Sequence, residues 1–265
     1  MSTSWLNMVS ASSSQGATAN QAGGPHTIGC LVKLKRKKFF MPLHYEEIVP
    51  WGRNYDEYVR MFDLKNHELN LRILGCGDGP ASFNCEFRRL GGKVISVDPL
   101  YQFSAEKIKQ RIQETYMDVL QQTKDNQDKF RWDKIPTVEE LGRIRMKAMN
   151  EFLHDYKTKR QESCYIAGAL PKLPFSDQEF DITLSSHFLF LYSEHLSEAF
   201  HEAAIREMLR VSKEVRIFPI LDMTGCTSPY LSTMQRKFHM YRVEIRKVNY
   251  EFQRGGNEEL IVGNT

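Results

Sequence analysis

Three glycines at alternate positions, Gly75, Gly77 and Gly79, follow a short apolar run at residues 71–74, with Cys76 and Asp78 between them. Glycines at that spacing let backbone N–H groups approach a ligand closely, and a helix N-terminus behind them suits its polar end. A second apolar run at 94–97 ends in Asp98, about twenty residues on, where an acid can accept both hydroxyls of a ribose. The alternative for Asp98-Pro99 is a simple loop cap. A third run, 180–186, leads into Ser186-His187, with Tyr192 and His195 in the same loop. His187 is the best-placed proton acceptor; the alternative is a histidine hydrogen-bonded within the loop at the strand end. Ser-Ser-His is no hydrolase signal, because no Gly-x-Ser-x-Gly elbow precedes it. A dinucleotide fingerprint would need glycine at position 80, which is Pro80.

These residues need a scaffold, and its elements are legible. Trp51, Tyr55, Tyr58, Val59 and Phe62 recur at helical spacing, with Asn54 as N-cap and Glu57 as its capping-box partner. After the first strand and the glycine turn, a helix starting at Pro80 runs through Phe83, Phe87 and Leu90 until Gly91-Gly92 stop it. With the strand at 94–97 this makes a βαβ unit. Residues 103–163 interrupt the alternation with two charged helices, 104–130 and 137–159, of which only the second carries a capping-box pair, Thr137 and Glu140. This helical insertion is expected beside the carboxyl edge of the sheet or as a homodimer surface. Strands then follow at 165–167, 180–185 and 215–218, with a helix between the last two. A helix at 230–239 and two strands, 241–248 and 260–262, joined by a turn at 255–257, close the chain. The fold class is α/β: a doubly wound, mostly parallel seven-stranded sheet with an antiparallel C-terminal hairpin and a helical insertion.

Composition sets the bounds. At 265 residues and 41% hydrophobic, the chain suits one globular domain, 41–265, behind an extension. Residues 1–40 are Ser, Ala, Thr, Gly and Gln-rich, end in Lys33, Lys35, Arg36, Lys37 and Lys38, and are expected to be disordered. The basic run reads as a solvated face, or as an arm for nucleic acid or an anionic membrane. Setting its five charges aside leaves 31 basic side chains against 33 acidic, which argues against a globally basic nucleic-acid surface. No run reaches the roughly 18 apolar residues of a membrane span. Five scattered cysteines without a Cys-x-x-Cys pair point to no metal site or disulfide framework, and to a cytoplasmic setting.

The segments Ile73-Leu-Gly-Cys-Gly-Asp-Gly79, Val94-Ile-Ser-Val-Asp98, Leu173-Pro-Phe-Ser-Asp-Gln-Glu-Phe-Asp181 and Leu184-Ser-Ser-His187 occur in the order of one superfamily. From about Trp51 onward the chain resembles a class I S-adenosylmethionine-dependent methyltransferase, with the Rossmann-like fold of that group. The resemblance implies S-adenosylmethionine as cofactor. It implies that Gly75, Gly77 and Gly79 line its amino-acid end, that Asp98 holds the ribose, and that Pro99 and Leu100 flank the adenine, with Ala169 and Leu170 across from them. Ser186 and His187 would sit where donor and acceptor meet, and Arg53, Tyr55 and Tyr58 would reach over the cofactor. Two positions depart from the pattern: Ile73 and Ala169 stand where the family often has acids, and each missing charged hydrogen bond is worth about 1.5–3 kcal/mol. Asp78 is the candidate substitute for the first. The absence of an Asn-Pro-Pro-Tyr-type loop favours a small-molecule acceptor. The rivals are a non-catalytic binding protein of the same fold and an RNA methyltransferase using the basic arm. Deleting residues 1–40 should leave the thermal melt almost unchanged; a variant that no longer folds would refute the dispensable extension.

Overall fold

The computed structural model describes residues 49–264; the expected extension, 1–40, with its basic run lies outside them. The sheet has seven strands in the order β3-β2-β1-β4-β5-β7-β6. They are β1 (Arg72–Cys76), β2 (Lys93–Val97), β3 (Tyr165–Ile166), β4 (Phe180–Ser186), β5 (Ser212–Phe218), β6 (Arg242–Lys247) and β7 (Glu258–Gly263). The first five are parallel, and β7 runs antiparallel between β5 and β6. This order, with its reversed β7, is that of the class I methyltransferase fold. Strand β1 is buried from Ile73 onward, as a central parallel strand covered on both faces must be.

Among the described residues, six α-helices flank the sheet: α1 (Tyr55–Met61), α2 (Phe83–Arg89), α3 (Ala105–Asp125), α4 (Val138–Lys159), α5 (Glu198–Val211) and α6 (Leu231–Lys237). Ala204, Ile205, Met208 and Val211 of α5 and Met234 of α6 bury against one face, with Leu74, Val215, Ile217 and Leu260. Tyr58 and Met61 of α1 and Phe83 and Phe87 of α2 bury against the other, with Ile73, Ile182, Leu184 and Phe218. Asn54 caps α1 with the full capping box, since its side chain accepts from Glu57 N–H and Glu57 accepts from Asn54 N–H.

Several expectations are corrected. Helix α2 starts at Phe83 rather than Pro80, because the leading segment occupies that end. Ser82 N–H donates to Arg53 O, and Gly52 lies so close to Pro80 O that a Cβ would sit 2.0 Å from it. Trp51 therefore precedes α1 instead of belonging to it, and its ring lies 6.0 Å from Tyr116 of α3. Thr137 caps α4 by accepting from Glu140 N–H, but the Glu140 side chain pairs with Arg143, so the box is half made. Strands β6 and β7 are joined by residues 248–257, which are no tight turn. This loop reaches across to the α3–α4 connection, where Arg131 N–H donates to Phe252 O.

The insertion is tied to the domain by buried polar contacts. Arg145 of α4, 1% exposed, pairs with Glu57 of α1, and Tyr250 of the β6–β7 loop donates to the other Glu57 oxygen at 2.8 Å. Burial alone would raise the Glu57 pKa, but the Arg145 charge and hydrogen bond outweigh it and hold the carboxyl at about 2. Tyr156 of α4 donates to Tyr101 O and Phe103 O at 2.8 and 2.9 Å, and Arg88 of α2 pairs with Asp155. Removing one partner of a buried pair leaves the other charge uncompensated. Glu57→Ala should cost about 3–5 kcal/mol in urea unfolding at pH 7. Because the native carboxyl titrates below the unfolded one, the wild-type advantage should fade as pH drops from about 4 toward 2. An unchanged midpoint at pH 7 would refute this role for the pair.

Candidate functional site

Each glycine of the turn answers a different constraint. Gly77 and Gly79 have φ of +78° and +54°, a conformation that costs other residues strain. At Gly75 a Cβ would lie 1.8 Å from Asp78 Oδ2, so the first glycine makes room for a carboxylate folded back beneath the turn. There Asp78 accepts from Tyr58 OH at 2.9 Å and Ser96 Oγ at 2.5 Å. Burial raises its pKa to about 7; the two hydrogen bonds oppose this, and nearby Asp98 adds to it. At Gly77 a Cβ would touch the Phe188 ring at 3.3 Å, whereas at Gly79 it would meet nothing within 4 Å beyond its chain neighbours. The open side of the turn is at Gly79. Cys76, between the first two glycines, is buried in the core.

Asp98 joins this turn to the next segment. Its Oδ2 accepts from Gly79 N–H at 2.8 Å, and its Oδ1 accepts from Leu100 N–H at 2.7 Å, capping a 3₁₀ turn over Pro99–Gln102. Burial lifts its pKa to about 6 against these two donors. Tyr101 OH donates to Gly79 O at 2.8 Å and fixes the turn from the other side. Pro99 is half-buried and Leu100 buried. Ala169 is half-buried, but Leu170 lies in the core beside Leu173.

At the end of β4, Ser186 Oγ and His187 Nδ1 are 2.9 Å apart, and His187 N–H donates to Phe218 O at 2.6 Å. His187 is therefore tied to the ends of β4 and β5, at a φ of +51°. Burial, then the charges of Arg53 and Arg145, hold its imidazole well below the usual pKa, hence neutral. Tyr192 is half-buried; burial raises its phenol pKa, which Arg53 opposes, so it stays protonated. His195 is exposed.

The leading segment packs against α2. Tyr55 rings with Phe83 and Phe87, and Tyr58 stacks on Phe83 at 4.3 Å while serving Asp78. The charge of Arg53 bears on Glu57, Tyr250, Tyr192 and His187. Sequence reasoning missed Ser96, Tyr101, Arg145, Phe188 and Tyr250. Arg145 had a signal: it falls on the apolar stripe of α4 with Leu141, Met149 and Phe152. Phe188 had none. Two cavities lie away from the turn, one of ≈ 690 Å³ lined by α4 with Arg89 of α2 and Tyr116 of α3, and one of ≈ 230 Å³ between α1, the α3–α4 connection and the β6–β7 loop.

No family model matches the chain. An uncharacterized protein of Methanocaldococcus jannaschii is 37% identical over 222 residues, which are 83% of this chain and 98% of the relative. Among solved structures, the chain is similar to the magnesium protoporphyrin IX methyltransferase of Synechocystis with bound S-adenosylmethionine. The identity is 12% and the TM-score 0.42, over 80% of this chain and 78% of that one. It is similar also to an S-adenosylmethionine-dependent methyltransferase from Aquifex aeolicus, at 14% identity and TM-score 0.39, over 78% and 90% of the two chains. Likenesses of this size assign no residue a role.

The raised Asp78 pKa has a measurable sign. The unfolded carboxyl ionises near pH 4 and the native one near 7, so ionisation across that window costs native stability. Asp78→Asn should therefore be more stable than wild type at pH 8, by roughly 1–3 kcal/mol, with the gap closing toward pH 4. A gap independent of pH would show that the carboxyl is not perturbed.

Proposed function

The chain belongs to the family of the Methanocaldococcus jannaschii protein, and we propose that it transfers the methyl group of S-adenosylmethionine to a small-molecule acceptor. The observation that carries this reading is the pairing of the open face at Gly79 with the Asp98 carboxylate bonded to the same residue's N–H. The cofactor fits these residues. Each Asp98 oxygen accepts one backbone N–H and keeps a lone pair for a ribose hydroxyl, and above a pH of about 6 the group is ionised. Pro99 and Leu100 would flank the adenine and Ala169 would lie across from them, while Gly77 and Gly79 would meet the amino-acid end and Asp78, enclosed by Tyr58 and Ser96, would support the turn from beneath.

When bound, S-adenosylmethionine supplies a methyl group on a sulfonium, whose displacement depends on alignment and exclusion of water. Neutral His187 then has a defined part. If Nδ1–H donates to Ser186 Oγ, the lone pair on Nε2 can accept the acceptor's proton. Its depressed pKa suits a proton that leaves during or after transfer rather than before it. Tyr192, held protonated, acts as a donor. Cytosolic action is part of the proposal, supported by the free thiols Cys76, Cys85, Cys164 and Cys226. Among the described residues, no helix is long and apolar enough to cross a membrane.

One observation favours a second reading, a binding protein without catalysis: Phe188 covers Gly77, where a family enzyme would admit the cofactor. Titration calorimetry decides between them. Wild type should bind S-adenosylhomocysteine saturably, and Asp98→Ala should bind it at least about tenfold more weakly, since a charged hydrogen bond is worth about 1.5–3 kcal/mol. No heat at millimolar ligand would sink the methyltransferase reading.

A further inference from the structure

Arg53, helix α1, helix α4 and the β6–β7 loop converge on a buried polar cluster in which positive charge is in excess. Its charged members are Arg53, Arg145 and Glu57. Glu57 already holds three donors: one oxygen takes Arg145 and Asn54 N–H, and the other takes Tyr250 OH, so its single negative charge is shared with Arg145 and leaves the second guanidinium uncompensated. Yet Arg145 Nε and Arg53 Nε are both buried and have no hydrogen-bond partner among the described residues. Arg53 is otherwise held by a long bond, Nη1 to Trp51 O at 3.3 Å. An unmade hydrogen bond at a buried cation is costly, and a guanidinium's donors match a carboxylate geometrically.

The cluster adjoins the strand end that carries His187. The charges of both arginines bear on the His187 imidazole. The His187 ring meets Phe218 edge-on at 5.4 Å, and Phe218 meets Tyr250 in the same way at 5.7 Å. Neutral His187 offers no compensating charge.

Building on the methyl-transfer reading, we infer that the acceptor is a carboxylate-bearing small molecule whose anionic group docks on Arg53 and Arg145. The guanidiniums select and orient the acceptor, leaving its reacting atom to the Ser186–His187 end of β4. Glu57 and Tyr250 hold Arg145 in place for this.

The test uses acetate as the anionic probe and acetamide as its neutral isostere, at constant ionic strength, with the melting temperature as readout. Both are added to the protein alone and to its complex with S-adenosylhomocysteine. Acetate should stabilise the protein and acetamide should not. Arg53→Met should weaken the apparent acetate affinity at least tenfold, and Arg53→Lys should restore part of it. Arg53→Met should also leave the S-adenosylhomocysteine Kd within twofold of wild type. Equal effects of acetate and acetamide would overturn the inference. So would a variant that loses S-adenosylhomocysteine but retains 5′-methylthioadenosine, because Arg53 would then serve the cofactor's own carboxylate. If S-adenosylhomocysteine fails to bind while acetate still acts through Arg53, the methyl-transfer reading falls and the anion site stands. Arg53 is the position to vary, because removing Arg145 would strand Glu57 and cost the fold.

Discussion

The buried pair between Glu57 and Arg145 is the contact on which the rest of this architecture turns. It joins a helix that precedes the sheet to a helix inserted between β2 and β3, and Tyr250 adds a third element from the loop after β6. Two charges taken out of water repay their desolvation only when geometry is good and further hydrogen bonds saturate them. Asn54 and Tyr250 supply those bonds to the carboxylate. The pair is therefore better read as a device for location than as a source of net stability. It holds α4 where Tyr156 can grip the backbone of the segment after Asp98, and Tyr101 in that segment fixes Gly79.

That chain of contacts explains why an insertion distant in sequence shapes the glycine turn. The turn holds two buried carboxylates close together, Asp78 beneath Gly75 and Asp98 beneath Gly79. Both are raised in pKa by burial, but they divide the work. Asp78 is enclosed by Tyr58 and Ser96 and supports the loop from inside. Asp98 caps the following turn with one oxygen and bonds Gly79 with the other, so each oxygen retains an acceptor site. Ile73, the apolar departure from the resembled pattern, is fully buried in the core among Tyr58, Phe83 and Val94, where an unpaired charge would be costly.

Much of the scaffold was legible in the sequence because its signals are local. The apolar runs gave the strands, the glycines gave the turn, and Asn54 with Glu57 announced α1 within a residue or two of its start. The seven-stranded, mostly parallel sheet with its antiparallel β6–β7 pair agrees with the fold class expected. Boundaries failed where a distant segment intervened. Helix α2 begins late because Arg53 O takes the N–H of Ser82, and the loop after β6 is long because it reaches the α3–α4 connection.

The sequence by itself determined the element types, the doubly wound class and the glycine turn with its acid, all set by periodicity and backbone sterics within a few residues. Only the tertiary structure decided which of those residues face one another. It set Asp78 under Gly75, Phe188 over Gly77, and Arg145 beside a glutamate 88 positions away. It also left His187 neutral among two arginines. The reason is that burial and charge pairing are properties of the assembled interior, where the low dielectric makes each unpaired group expensive. No local pattern in the chain encodes which distant partner will be there.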